Sequence, residues 1–201
     1  MARHYTQTEL TFRLSPAHKE GKVYVSAVEP AVSVQTPSME LKSTLDAGVA
    51  LFGVSDDFAR FLQQAEQRII EDVLERKEEV LRKPLTDEFL QQKFKHFLVS
   101  TEDAPVVLKA RVSDGLAVFD ASGTVICAEE VAPGTRVRGV LDLVRVCFGK
   151  SEWGAMWRLS QVQALPTAVC LLTEEPTVTE EATPEVVTDD EDLAAAIDEY
   201  V

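Results

Sequence analysis

The sequence predicts an α+β protein, mainly β: an OB-like antiparallel barrel with a helical insertion and a disordered acidic C-terminal tail. Three features predict it. Short apolar runs of period two, bounded by Gly, Pro, Asp and Ser, occur on both sides of the middle of the chain. Residues 55–98 switch instead to helical periodicity. From residue 173 onward Lys and Arg cease and acids accumulate. Five or more short strands around a small core, with the helices grouped apart from them, suit a barrel. A flatter sheet with a helical lid is the structural alternative.

In chain order, residues 8–14 read as a first strand, with Leu10, Phe12 and Leu14 alternating with Thr11 and Arg13. Residues 22–28 read as a second, after a loop rich in turn formers. Pro30 and Pro37 break residues 29–54, within which 39–42 suggest a short strand. A helix begins after Ser55, with Asp56 and Asp57 in its first turn, and extends to about residue 81. Phe58, Phe61, Leu62, Ala65, Ile69 and Val73 give it one apolar face. Pro84 stops it, and a second helix over 86–98 turns Phe89, Leu90, Phe94 and Phe97 inward.

Residues 106–112, 116–119 and 124–128 are β-like, separated by the turn signals Ser113-Asp114-Gly115 and Asp120-Ala121-Ser122-Gly123. Pro133-Gly134 leads into a long β-branched run over 135–148, a turn at 149–152, and a last strand over 153–165. These elements define one domain over residues 1–172, with the helical insertion at about 55–98.

The charge is unevenly placed. The chain of 201 residues has a formal net charge of −14, from 34 acids and 20 bases. Eleven of those acids lie in residues 173–201, so residues 1–172 hold 23 acids against all 20 bases. The stretch 174–188, rich in Glu, Thr, Pro and Val, reads as a disordered linker. It leads to Asp189, Asp190, Glu191 and Asp192, then to Leu193, Ile197 and Tyr200 at i, i+4 and i+7. Acids ahead of a short apolar stripe suit a peptide that docks on a partner; a merely solubilising tail is the plainer alternative. The polar N-terminus, the lack of a membrane-length apolar run and three cysteines without CxxC spacing predict a soluble protein of a reducing, intracellular compartment, with no membrane partner.

Catalytic patterns are weak. Gly149-Lys150-Ser151 resembles the end of a phosphate-binding loop, but the first glycine of that pattern would fall at Val144, inside a strand. His4, His18 and His96 share no metal or triad spacing. No catalytic residue, metal site or cofactor is therefore expected. Basic and aromatic residues, in contrast, interleave in the C-terminal β-rich half. Lys109, Arg111, Arg136, Arg138, Arg145, Lys150 and Arg158 accompany Phe148, Trp153 and Trp157. Single-stranded nucleic acid requires this combination: cations for phosphates and flat faces for bases, with stacking contributing about 1–3 kcal/mol per base. A tryptophan on a strand is more often core, which applies to Trp157; Trp153, beside a turn and followed by Gly154, reads as exposed.

Residues 139–162 carry a resemblance. A long hydrophobic strand, an aromatic-Gly-Lys turn and Trp153-Gly154-Ala155-Met156-Trp157-Arg158-Leu159-Ser160-Gln161-Val162 resemble the closing strands of viral single-stranded-DNA-binding proteins of large DNA viruses of algae and protists. The acidic tail with an aromatic near its end is similar to that of short-tailed coliphage single-stranded-DNA-binding proteins, where it engages replication partners and competes with DNA. The resemblance implies that Trp153, Trp157 and Arg158 lie at the nucleic-acid surface and that Lys150 reaches phosphate. It also implies a non-enzymatic role in viral DNA replication or recombination, in the cytoplasm or nucleus of an infected cell, with replication proteins recruited by the tail. The residues do not separate DNA from RNA, and the long helix is a candidate dimerisation or partner-binding arm, or a lid on an open barrel end. A protein-interaction module with an OB-like or sandwich fold is the alternative function.

Overall fold

The computed structural model describes residues 2–81, 85–101 and 104–166. The chain forms β1 (Arg3–His4), a 3-10 turn (Tyr5–Gln7), β2 (Arg13–Leu14), β3 (His18–Glu20), β4 (Val23–Gln35), β5 (Met39–Leu41) and β6 (Val49–Gly53). Then come α1 (Asp56–Glu75), α2 (Lys77–Leu81), α3 (Asp87–Gln92), β7 (Leu98–Thr101) and β8 (Ala104–Phe119). A second 3-10 turn (Ala128–Glu130) precedes β9 (Arg136–Phe148), β10 (Trp153–Ala155) and β11 (Arg158–Ala164). The acidic tail over 173–201, its docking residues, Cys170 and the Pro84 stop lie outside the described residues.

A five-strand ring closes through β5, β6, β8, β11 and β9 and back to β5. β4 pairs with β9 and continues through Thr36-Pro37-Ser38 into β5, so the two behave as one long strand. This is the closed Greek-key ring of an OB-like barrel. One contact departs from the antiparallel expectation: β8 and β11 pair in parallel. The reason is topological. β11 runs antiparallel to β9, and β9 itself returns in the direction opposite to β8, so two reversals bring β11 alongside β8 in the same sense.

The barrel interior is filled by Val34, Met39, Leu41, Ala50, Phe52, Leu108, Ala110, Val137, Leu141, Leu159 and Val162, all buried. Residue 139 faces the same interior and must be glycine, because a Cβ there would sit 2.8 Å from the Gln161 carbonyl oxygen. The apolar face of α1 (Phe58, Phe61, Leu62, Ala65, Ile69, Val73) is buried in the same continuous core, as its periodicity predicts. Asp72, also buried, accepts the Leu14 amide at 2.9 Å and pairs with Arg76 at 3.1 Å, tying α1 to β2.

Local signals mislead where tertiary pairing overrides them. The expected helix over 55–81 breaks at Arg76, whose guanidinium reaches back to the Leu14 carbonyl and forward to Glu79. The expected helix over 86–98 stops at Gln92, because the chain on either side of Phe94 pairs with Trp153: Lys95 donates to the Trp153 carbonyl and the Trp153 amide donates to Lys93. Phe94 and Phe97 are buried as expected, but Phe89 is exposed. β4 runs through Pro30 because a register shift between Ala27 and Val32 absorbs it. Ser113-Asp114-Gly115 is no turn either. It lies within β8, where β11 skips register between Leu159 and Gln161. The expected strand over 124–128 is a bridge at Val125 and a 3-10 turn, and the expected strand over 153–165 is two strands with different partners.

Candidate nucleic-acid interface

β8 alternates strictly before its bulge. Leu108 and Ala110 point into the barrel, so Lys109 and Arg111 face out. β9 keeps odd positions inside from Val137 to Leu143 and even positions inside at Val146 and Phe148. The change of phase coincides with the irregularity in β4, and it places Val144, Arg145 and Cys147 at the outer wall. The connection from β9 to β11 then folds over this wall. Gly149 closes its turn by donating to the Glu152 carbonyl at 2.9 Å, and β10 pairs back onto β9.

Between this connection and the middle of β8 lies a groove of about 500 Å³. Val23, Val112, Val144, Cys147, Ala155 and Met156 supply apolar lining, and Lys95, Arg111, Arg145 and Arg158 supply four cations. Asp114 and Glu152 are the acids on its wall. Three of the cations are loosely held. Lys95 pairs with Glu152 at 2.8 Å, Arg145 with Glu20 at 3.6 Å and Arg158 with Asp142 at 3.6 Å. Arg111 has no such partner among the described residues. The Lys95–Glu152 and Arg145–Glu20 pairs are exposed on both sides and contribute about 0–1 kcal/mol each, so an incoming phosphate can displace them at little cost; Asp142 is largely buried, but its arginine is exposed. The groove involves the third barrel strand, β8, and the last interstrand connection, two of the places where OB barrels hold ligands; β6, the second strand, does not line it.

The groove gathers three of the seven expected basic residues, Arg111, Arg145 and Arg158. Lys109 shares the outward face of β8 two residues from Arg111, and Lys150 sits exposed on the turn beside Gly149. Arg136 and Arg138 are elsewhere. They lie near the start of β9, roughly 31 Å and roughly 24 Å of strand from Arg145, and bond to Ser38 at 3.1 Å and Gln163 at 3.0 Å.

Burial bears out the reading of Trp157 as core and corrects the exposure expected of Trp153, and it removes all three rings, Phe148, Trp153 and Trp157, from the surface that the resemblance implied. Trp157 is fully buried, between Phe61 of α1 and Phe97. Trp153 is 3% exposed; its ring stacks on Phe148 and meets the edge of Phe94, and its indole N–H donates to the Leu90 carbonyl at 2.6 Å. Phe148 is buried as well. Trp153 and Trp157 join the barrel to the helical insertion, and Phe148 packs under Trp153; burial of an aromatic ring removes about 150–250 Å² from water. Gly154 permits the junction: a Cβ there would stand 2.8 Å from the Lys95 carbonyl oxygen.

Sequence reasoning missed Lys95 and Met156. Lys95 was placed on a helix, where a lysine is unremarkable, and only the pairing of residues 93–95 with Trp153 brings it to the groove. Met156 is 39% exposed, and a single apolar side chain at the rim has no sequence pattern of its own. Among the described residues no group of three His, Cys, Asp or Glu is disposed to hold a metal ion. Among them, too, no helix is long and apolar enough to cross a membrane.

A family model described as a family of unknown function (DUF5871) matches residues 40–175. No curated protein matches the sequence. Among solved structures, the chain is similar to the single-stranded DNA-binding protein from bacteriophage Enc34, at 14% identity over 85% of this chain and 96% of that one, with a TM-score of 0.48. It is similar to the same phage protein in complex with ssDNA, at 17% identity over 77% and 96%, with a TM-score of 0.46. It is also similar to gp2.5, a single-stranded DNA-binding protein encoded by bacteriophage T7, at 12% identity over 79% and 100%, with a TM-score of 0.42.

Proposed function

We propose that this chain, which belongs to the DUF5871 family of unknown function, binds single-stranded DNA without reading its sequence, in the groove between β8 and the β9–β11 connection. The observation that carries the proposal is the convergence of Lys95, Arg111, Arg145 and Arg158 on one partly apolar groove in a protein whose domain has no excess of bases. Phosphates would meet the four cations. The hydrophobic parts of sugars and bases would rest on Val112, Ala155 and Met156, and arginine planes can stack on bases where tryptophans do not. None of these contacts depends on base identity, so the binding is sequence-tolerant.

The proposal extends to the tail. Eleven acids on a tether with no base can occupy a cationic groove and leave it when a longer polyanion arrives. Removal of residues 173–201 should therefore tighten DNA binding, most at low salt, and the tail once displaced would be free to recruit replication proteins. On this view the protein is a non-enzymatic component of viral replication or recombination. Anisotropy titrations of labelled oligo-dT, oligo-rU and duplex at two salt concentrations test it. Saturable, salt-sensitive binding of oligo-dT in preference to duplex is expected, and its absence would leave an interaction module as the better account.

A further inference from the structure

Next to the groove is a second, more open depression of about 550 Å³, lined among others by Lys93, Phe94, Lys95, His96, Val99 and Glu152. Lys95 and Glu152 line both hollows, and their ion pair at 2.8 Å forms the ridge between them. Both side chains are more than half exposed. Two further cationic or ring-bearing side chains stand on the far side, the exposed Lys93 and His96, the latter 65% exposed. His96 is held in place: its Nδ1 meets the buried carboxylate of Glu66 at 2.9 Å, and its ring lies against the edge of Phe94, with centroids 5.3 Å apart. The same Glu66 accepts the Phe97 amide, which fixes the strand that carries the ring. The flat faces that the resemblance implied, Trp153 and Trp157, are inside the core. His96 is thus a pinned and accessible ring next to the groove.

Resting on the single-strand reading above, we infer that the bound strand does not end in the groove. It crosses the ridge, its phosphate replaces Glu152 as the partner of Lys95, and it continues into the second depression, where Lys93 takes a phosphate and a base stacks on His96. Glu152 then acts as a gate residue that opposes the strand in free protein and gives up its lysine when the strand arrives.

The test uses the full chain with oligo-dT of about 5 and about 16 nucleotides, the span of site sizes for such barrels. Lys93→Ala and His96→Ala should each weaken the longer oligonucleotide about tenfold and leave the shorter within twofold. His96→Phe should restore binding of the longer one, since stacking needs a ring and the Glu66 contact would be gone in both variants. Glu152→Gln should tighten binding several-fold, a gain that a damaged fold cannot produce. If Lys93→Ala and His96→Ala leave the longer oligonucleotide unaffected while Arg111→Ala weakens both lengths, the extended path is wrong and the groove stands. If His96→Phe binds as poorly as His96→Ala, the stacking role is overturned. If Arg111→Ala also changes nothing, the single-strand reading itself falls.

Discussion

Arg111→Ala isolates the groove from everything else the protein does. Arg111 is exposed, and its side chain has no ion pair among the described residues. Its backbone amide donates to the Trp157 carbonyl at 2.8 Å, a bond that alanine keeps. The substitution should therefore leave the melting temperature within a degree or two and act on binding alone. Four groove cations meeting four phosphates release enough counterion to give log K against log salt a slope of about −3, at about 0.7 per phosphate on single strands. A fourfold rise in salt then weakens wild-type binding about 50-fold, and with three contacts the same rise costs about 20-fold.

At low salt the variant should lose about 1–1.5 kcal/mol, or five- to tenfold. Arg145→Ala and Arg158→Ala should lose less, since each wild-type arginine must first leave a carboxylate 3.6 Å away. Anisotropy titrations of oligo-dT at four or five salt concentrations read both quantities. An unchanged slope for Arg111→Ala, or equal losses for Arg111, Arg136 and Arg138, would refute the assignment of the groove.

Other consequences concern the fold that presents it. Gly154→Ala forces a Cβ against the Lys95 carbonyl; overpacking of this kind costs about 1–3 kcal/mol, so the melting temperature and DNA affinity should fall together. A normal melting temperature would show that the junction with the helical insertion tolerates a shift. Asp72→Ala leaves the Leu14 amide and the Arg76 guanidinium without their buried acceptor and should cost about 3 kcal/mol in urea unfolding. A loss under 1 kcal/mol would contradict that role.

Acid should also weaken the fold. The Ser122 hydroxyl, with the Thr124 and Ser122 amides, holds the Asp120 carboxyl below its ordinary range, and the Arg76 guanidinium does the same for Glu79. A group whose folded pKa is lowered stabilises above its unfolded value, about 4, and the contribution is lost as pH falls through the folded value. Melting temperature should hold above about pH 5 and drop below about pH 4, with Asp120→Asn making the drop shallower. A curve flat through that window would count against both contacts.

Much of the architecture was legible because periodicity reports which side of an element is apolar. The α1 face from Phe58 to Val73 is legible in this way and is buried as its pattern requires, and the β-branched run over 135–148 shows in its composition and forms β9. What was not legible depends on contacts distant in sequence. The Lys93–His96 segment looks helical until Trp153 offers it a strand partner. Ser113-Asp114-Gly115 carries every local mark of a turn, but it forms a bulge inside β8, because Val112 pairs with Leu159 and Ala117 with Gln161 on either side of it.

The site divides in the same manner. Strand alternation places Arg111 and Arg158 outside, opposite the buried Leu108, Ala110, Trp157 and Leu159. Composition could not tell an aromatic that faces a ligand from one that fills a junction. Trp153 and Phe148 turned inward because the helical insertion supplies Phe94 and the Leu90 carbonyl to receive them.

The central claim is that a single strand occupies the groove between β8 and the β9–β11 connection. Amide chemical-shift mapping of the full chain during titration with oligo-dT tests this most directly. Saturable shifts should concentrate at residues 111–114, 144–147 and 152–158, together with 93–96 when the strand is long. Shifts confined to the Arg136 and Arg138 end of β9, or none at saturating oligonucleotide, would contradict it.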